Sequence, residues 1–381
     1  MAFAKITDAA LAELRAKIGK VPSRQTPPFY TEINTDAARH YAHAMGDDNP
    51  LYCDPDYGRR TRWDVQLAPP CILYSTDNVC SGAIEGLASV HAMYAGTDFT
   101  FHQPIKVGTK VTTKSYLKEL VEIPTNFAGR SIKQLYTTAF YDQHGVHLAD
   151  ADAWVFRTER DTARERTERG GKYEKPSAET IHRYTDAELA AIAEHYRNEK
   201  RRGAQKLAWD DVKEGADIPT ILKGPYTVTA AVGFIQTWGS YAIKNNRMAF
   251  NYYDLHPGLA APNQFNVPEP PVRVHWDNDF AQAVGAPGAY DFGPERVSWL
   301  AHLLSDWHGD DGLIRRLNVQ IRRHNVIGDL LRCQGRISRK RIEVGRHLVD
   351  LIVWAQTQND EISLKGEATV ELFVDNGGAA R

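Results

Sequence analysis

The chain has 381 residues, enough for two ordinary domains or for one unit built twice. It is 42% hydrophobic and 25% charged with a formal net charge of −2, a globular balance that carries no electrostatic footprint for nucleic acid or an anionic membrane surface. No apolar run approaches the ~18 residues of a membrane span, and the N-terminus lacks the basic-then-apolar layout of a signal peptide, so a cytoplasmic protein is expected. Cys53, Cys71, Cys80 and Cys333 show no CxxC pairing and sit among apolar neighbours, as buried free thiols in a reducing compartment do.

In chain order, Asp8 to Ile18 carries Ala10, Leu11, Leu14 and Ile18 at helical spacing. From Phe29 to Met45 a strand leads into a helix, with Thr35 or Asp36 as N-cap. Gly46 and an Asp-Asp-Asn-Pro turn end that helix, since Gly frees the backbone at a helix C-terminus and Pro50 forbids its resumption. Residues 53–67 are polar and irregular, like a loop over a site. Ala68-Pro-Pro-Cys71 then opens an apolar segment that reads as a long central helix, prolines suiting a first helical turn. Strand patterns follow at Asp98–Ile105, Lys110–Ile123, Ser131–Asp142 and Val146–Arg157, the last pair joined at Gly145. Residues 157–204 are charged and read as a solvated linker helix, its arginines offering a phosphate contact as the alternative.

From Leu207 the pattern starts over. An apolar helix at Ala230–Tyr241 precedes a Pro-rich excursion, Val272-Arg-Val-His275-Trp-Asp277 follows, and Gly293-Pro294 opens a second long helix through Trp307. Strands are expected at Leu317–Arg323, Leu330–Ser338, His347–Thr357 and Ile362–Leu372. Gly108 in Pro-Ile-Lys-Val-Gly matches Gly328 in Asn-Val-Ile-Gly, a spacing of 220 residues, and Pro70 matches Gly293-Pro294 at nearly the same offset. Like elements at a nearly constant offset indicate duplication of one unit.

The stretch Gly46-Asp47-Asp48-Asn49-Pro50-Leu51-Tyr52 resembles the active-site motif of the MaoC-like dehydratases, Gly-Asp-x-Asn-Pro-hydrophobic-His, at six of seven positions, with Tyr52 in the histidine's place. Ala68-Pro-Pro-Cys71 and Phe101-His-Gln-Pro-Ile-Lys-Val-Gly108 support the same resemblance. It implies an α+β double hotdog, with an N-terminal hotdog over 1–160, a charged helical linker over 161–205 and a C-terminal hotdog over 206–381. Each hotdog would wrap an antiparallel sheet around a long helix. The implied activity is cofactor-independent hydration of a 2-enoyl-CoA, or dehydration of a 3-hydroxyacyl-CoA, by an Asp/His pair acting on one water. The implied partner is an acyl-CoA or acyl-carrier thioester, with no nucleic acid and no membrane, and a homodimer is the default assembly.

Carried over by position, Asp47 is the motif aspartate, Asn49 braces the turn and Tyr52 replaces the histidine, while Val274-His275-Trp276-Asp277 resembles the family's sequence around that histidine. The catalytic candidates are therefore His275, Asp47 and Tyr52. Either Asp47 and His275 meet across the halves, or one half works with a substitute partner: Tyr52 beside Asp47, or Glu269, Asp277 or Asp254 beside His275. A site centred on His275 is favoured, because a histidine near neutral pKa moves protons more readily than a tyrosine near ~10. Substrate contacts fall to Asn49, Pro70, Cys71 and Gly96 in the first half and to Asp277, Tyr290, Gly293 and Arg296 in the second. The aromatic excursion 242–271 (Phe250, Tyr252, Tyr253, Phe265) suggests a bulky or ring-bearing acyl group. Two other readings stand beside this one: a catalytically degenerate acyl-thioester-binding subunit, and a hotdog thioesterase. The histidines show no metal-ligand spacing, and no nucleophile elbow, P-loop or dinucleotide fingerprint is present.

Overall fold

A computed structural model describes residues 5–21, 27–82, 85–87, 90–123, 129–159, 182–240 and 243–373. Helix α1 (Asp8–Arg15) starts where the Thr7 side chain accepts from the Ala10 amide, and it buries Leu11 and Leu14. Strand β1 (Glu32–Ile33) leads into α2 (Thr35–Ala44), whose N-cap is Asn34, one residue before the expected position. Short helices α3 (Pro50–Cys53) and α4 (Pro55–Arg59) follow the motif turn, where a loop was expected.

Strands β2 (His91–Phe101), β3 (Thr109–Lys110), β4 (Thr112–Glu122), β5 (Ser131–Tyr141) and β6 (His147–Thr158) build the first half. Helix α5 (Asp186–Asn198), opened by a Thr185/Glu188 capping box, crosses to the second half; the rest of the expected linker, 160–181, lies outside the described residues. There β7 (Ile221–Lys223) precedes α6 (Val228–Trp238) and α7 (Asn246–Leu255). The two-residue strands β8 (Ala261–Pro262) and β9 (Pro268–Glu269) pair with each other, and α8 (Asn278–Ala283) follows. Helix α9 (Gly293–His308) and strands β10 (Leu313–Ile321), β11 (Leu331–Glu343), β12 (Arg346–Thr357) and β13 (Ile362–Leu372) complete the chain.

The long strands join in one antiparallel nine-stranded sheet of order β4-β5-β6-β2-β10-β13-β12-β11-β7. Reading outward from the β2·β10 junction, the halves mirror each other: β6 answers β13, β5 answers β12 and β4 answers β11. The junction runs from Arg316 opposite Thr100 to Gln320 opposite Gly96. It is braced by Asp98, whose carboxylate accepts from Arg316 at 2.9 and 2.7 Å and from Asn318 at 3.0 Å. The shared core lies against this sheet, with α9 through its middle: every residue from Pro294 to His308 is buried.

The halves differ in their central helix. The run from Pro70 makes only a short 3-10 helix, Pro70–Ser75, rather than the long helix expected. Asp77 ends it by turning back on the Cys80 amide and the Thr113 and Ser115 hydroxyls, and Gly82 and Gly86 follow at positive φ. No helix among the described residues is long and apolar enough to cross a membrane, and all four cysteines are free thiols, with Cys53 half-buried and the others buried.

Candidate active site

The end of α2 fixes Asp47. Gly46 takes φ +67°, its amide bonds the His43 carbonyl, and the Asp47 amide reaches back to Ala42. This is a Schellman closure, which needs a left-handed residue where Gly46 stands. The Asn49 amide then donates to Oδ1 of Asp47 at 2.9 Å, and Oδ1 of Asn49 caps α3 through the Leu51 amide at 3.0 Å. Asp47 is thus a buried carboxylate, 3% exposed, held by backbone rather than by a cation.

Helix α9 supplies the opposite wall. A helix buried along its whole length cannot carry unpartnered polar groups cheaply, yet this one carries Ser298, His302, Ser305 and Asp306. Their spacing places them on one stripe, facing Asp47. Nε2 of His302 lies 3.6 Å from Oδ1 of Asp47 and 3.2 Å from Oδ2 of Asp306, one turn further on. Nδ1 of His302 is 2.6 Å from Nζ of Lys223, which reaches in from edge strand β7 and also donates to the Met45 carbonyl at 2.7 Å. An ammonium has no acceptor, so Nδ1 is the acceptor and Nε2 bears the hydrogen of the neutral imidazole. Oδ1 of Asp306 is buried and finds no hydrogen-bond partner among the described residues.

Burial dominates the electrostatics. It raises the pKa of Asp47 above its usual value, a shift that His302 partly offsets. Burial, then the nearby Lys223 charge, pushes His302 down to about 4. Asp306 is pushed up to about 6 by burial, with Arg201 pulling against it, and Lys223 is lowered by desolvation. Tyr52 is raised by burial and then by Asp47, so its phenol stays protonated.

Asp47, Tyr52, Pro70 and Cys71 share a small cavity with His302 and Ser305. Tyr52 and Pro70 also border a second, apolar cavity walled by Leu51, Leu67, Phe101, Ile105 and Ile314. The cavity beside Asp47 and His302 and the second cavity therefore meet at Tyr52 and Pro70.

Residues 20–151 match the family model described as the FAS1-like dehydratase domain region. A UPF0336 protein of Streptomyces avermitilis is 23% identical over 131 residues, covering 33% of this chain and 83% of its own. A solved MaoC-like dehydratase superposes with a TM-score of 0.66 at 16% identity, covering 94% of this chain and all of the other. A Mycobacterium tuberculosis protein described as having a double hotdog fold superposes at 0.52 and 11% identity, covering 92% and 96%. The chain has a double hotdog fold.

Within this double hotdog, the remaining motif residues fall elsewhere. His275 does not meet Asp47: its ring stacks on Phe292 at 3.8 Å and its Nδ1 bonds the Tyr290 carbonyl at 2.7 Å. That places it at the start of α9, whereas His302 lies nine residues on, about 14 Å along the axis. Burial pushes His275 down to about 4, a neutral packed imidazole. Asp277 caps α8 through the Phe280 amide and pairs with Arg273. Arg296 is locked in a buried ion pair with Asp291 at 2.9 Å and donates to the Arg323 carbonyl. Glycines 96 and 293 are packing positions: a Cβ would lie 2.2 Å from Trp154 at the first and 2.3 Å from Tyr94 at the second. Phe250 and Phe265, 56% and 75% exposed, line neither of these two cavities, and neither do Tyr252 and buried Tyr253.

His302, Asp306 and Lys223 are the site residues that sequence reading missed. The available signal was a His and an Asp one turn apart on an otherwise apolar helix. Asp47, His302 and Asp306 also offer ligand atoms within 4.8 Å of one another, as do half-buried His102, His147 and Asp150. At the first cluster a cation would sit beside the Lys223 ammonium, which opposes it.

Proposed function

We propose that this protein is an acyl-thioester hydro-lyase that adds water reversibly across the double bond of a 2-enoyl-CoA, using Asp47 and His302. The observation that carries this reading is the pairing of Asp47 with His302 at 3.6 Å in a buried chamber. That gap exceeds a hydrogen bond yet lets one water touch both groups. The match of residues 20–151 to a dehydratase-region model supports the reaction class.

Hydration needs a base to activate water for attack at C3, an acid to protonate C2, and a donor for charge on the thioester oxygen. Asp47 is the base: its charge is already costly in this buried setting, which favours taking a proton. His302 faces the same space with its Nε2 hydrogen and delivers the proton to C2. The Cys71 amide is the first available after Pro69 and Pro70, opens the short helix beside the chamber, and is positioned for the thioester oxygen. Tyr52, too weak an acid to give its proton, walls the chamber, and the apolar cavity behind it takes the acyl group. The sequence motif holds both catalytic groups in one half; here the histidine's work passes to the other half's central helix.

The test is turnover of linear, branched and aromatic 2-enoyl-CoAs, followed by loss of the enoyl absorbance, with wild type and His302→Gln in parallel. The expected result is wild-type hydration that falls about 10²-fold or more in the variant. Free thiol release would instead identify a thioesterase. Tight thioester binding without turnover, the outcome motivated by Tyr52 at the histidine position, would identify a binding subunit.

A further inference from the structure

The hydratase reading leaves one proton unaccounted for. A neutral imidazole that gives up its Nε2 hydrogen must receive another at Nδ1, since an isolated imidazolate is far too basic to form in a buried site. Only one proton donor among the described residues touches Nδ1: Nζ of Lys223, at 2.6 Å. We propose that Lys223 is the positioning residue that fixes the His302 tautomer and replaces the proton His302 delivers. This rests on the hydratase reading.

The geometry is built for that role. Lys223 is buried on β7, its backbone paired with Leu331 of β11. Its second hydrogen bond, to the Met45 carbonyl, ties it to the end of α2 just before Gly46 and Asp47. One ammonium therefore sets both the imidazole and the turn that carries the base. The charged and titratable groups facing it are Asp47 from the motif turn, His302 and Asp306 from α9, Glu199 beyond α5 and Cys333 from β11. Burial lowers the cost of its giving up a proton, as for other buried lysines.

The step balances. Water loses a proton to Asp47 as its oxygen bonds C3; the C2=C3 π pair moves through the thioester and then takes the Nε2 proton of His302 at C2. As that proton leaves, Nδ1 takes one from Lys223. The products are a 3-hydroxyacyl thioester, protonated Asp47, His302 with its hydrogen on Nδ1, and neutral Lys223. Return of the Asp47 proton to Nε2, and of the Nδ1 proton to Lys223, resets the site with no external reagent.

The experiment combines ¹⁵N imidazole NMR of the wild type with pH profiles of Lys223→Met and Lys223→Arg. In the wild type, Nε2 of His302 is expected protonated and Nδ1 an unprotonated acceptor. Lys223→Met is expected to lose about 10²-fold in kcat with little change in KM. Without the neighbouring charge the His302 pKa rises, but burial still holds it below its usual value, so this variant's kcat should stay low at pH 8 and recover only toward the acid end of the profile, where an imidazolium carries its own proton. Lys223→Arg keeps the charge and donors but does not release a proton, so its kcat stays low while the Nε2 tautomer persists. Wild-type kcat in Lys223→Met, full rescue in Lys223→Arg, or an Nδ1-protonated wild type would each overturn the proposal. Should the wild type turn over no enoyl-CoA, the hydratase reading fails, while the NMR tautomer still decides whether Lys223 holds His302.

Discussion

Asp47→Asn and His302→Gln, made singly and together, ask whether the two groups share one proton path. Asn keeps the shape of the aspartate and the acceptor for the Asn49 amide, but it cannot take a proton. Gln keeps a polar group in the imidazole's place, but it cannot exchange one. A positioned acid or base is worth about 10²–10⁴ in rate, so each single variant should fall by that factor in kcat. At 3.6 Å the two groups are close enough to act on one shared water, and on that reading neither does its work without the other. The double variant should then be no more than about tenfold below the poorer single. If each single costs about 10³, independent action predicts about 10⁶; a double variant near 10³ corresponds to about 4 kcal/mol of coupling. Initial rates of enoyl-CoA hydration give the cycle, with thermal melts confirming that all four proteins are folded. A double loss equal to the product of the singles would refute the shared path, and so would a His302→Gln enzyme at the wild-type rate.

Further expectations follow from the same geometry. His275→Ala should leave kcat/KM near the wild-type value while costing about 1–3 kcal/mol by thermal melt, since the ring packs on Phe292 and leaves the Tyr290 carbonyl without its donor. Asp306 has its folded-state pKa raised to about 6, so its charged form costs folding free energy above pH 6 and nothing below pH 4. Asp306→Asn should therefore gain stability relative to wild type as pH rises from about 4 to about 8, by at most about 3 kcal/mol; a gain confined to low pH would contradict this. Gly46→Ala meets only Lys223 Nζ at 3.7 Å, so its cost is the left-handed backbone alone, about 1–2 kcal/mol in denaturant unfolding. Gly96→Ala would drive a Cβ to 2.4 Å from the Val319 carbonyl at the β2·β10 junction and should cost about 3 kcal/mol or more by the same assay.

The parts legible in the sequence were those whose signals are local. Gly46, Asn49 and Pro50 specify the turn by backbone chemistry, and the period-two strands placed most of the sheet to within a few residues. Gly108 and Gly328 mark equivalent turns and both take positive φ, which is why the repeat could be read. The partner of Asp47 was not legible, because His302 is more than 250 residues away and reaches it only by tertiary packing. On its own helix it stands between Ala301 and Leu303, where a histidine reads as core. His275 carried the stronger motif context, yet its contacts are those of a packing residue. The length of the first central helix failed for a different reason: the apolar run after Pro70 is helix-compatible, but Asp77 finds better partners in β4 than in a continued helix.

Asp47 and His302 come from opposite halves of the chain, whose long strands share one continuous hydrogen-bonded sheet. Two identical copies packed about a twofold would own two such constellations; the covalently joined, diverged halves assemble this one only once per chain. Near the start of α9 the buried charges are instead an Asp291–Arg296 pair, with Asn325 donating to the same carboxylate. On the proposed mechanism neither half alone should be active, because Asp47 and His302 lie in different halves. Heat inactivation and the loss of tertiary structure should accordingly share one midpoint, and activity regained on mixing separately produced halves would count reunited chains one for one.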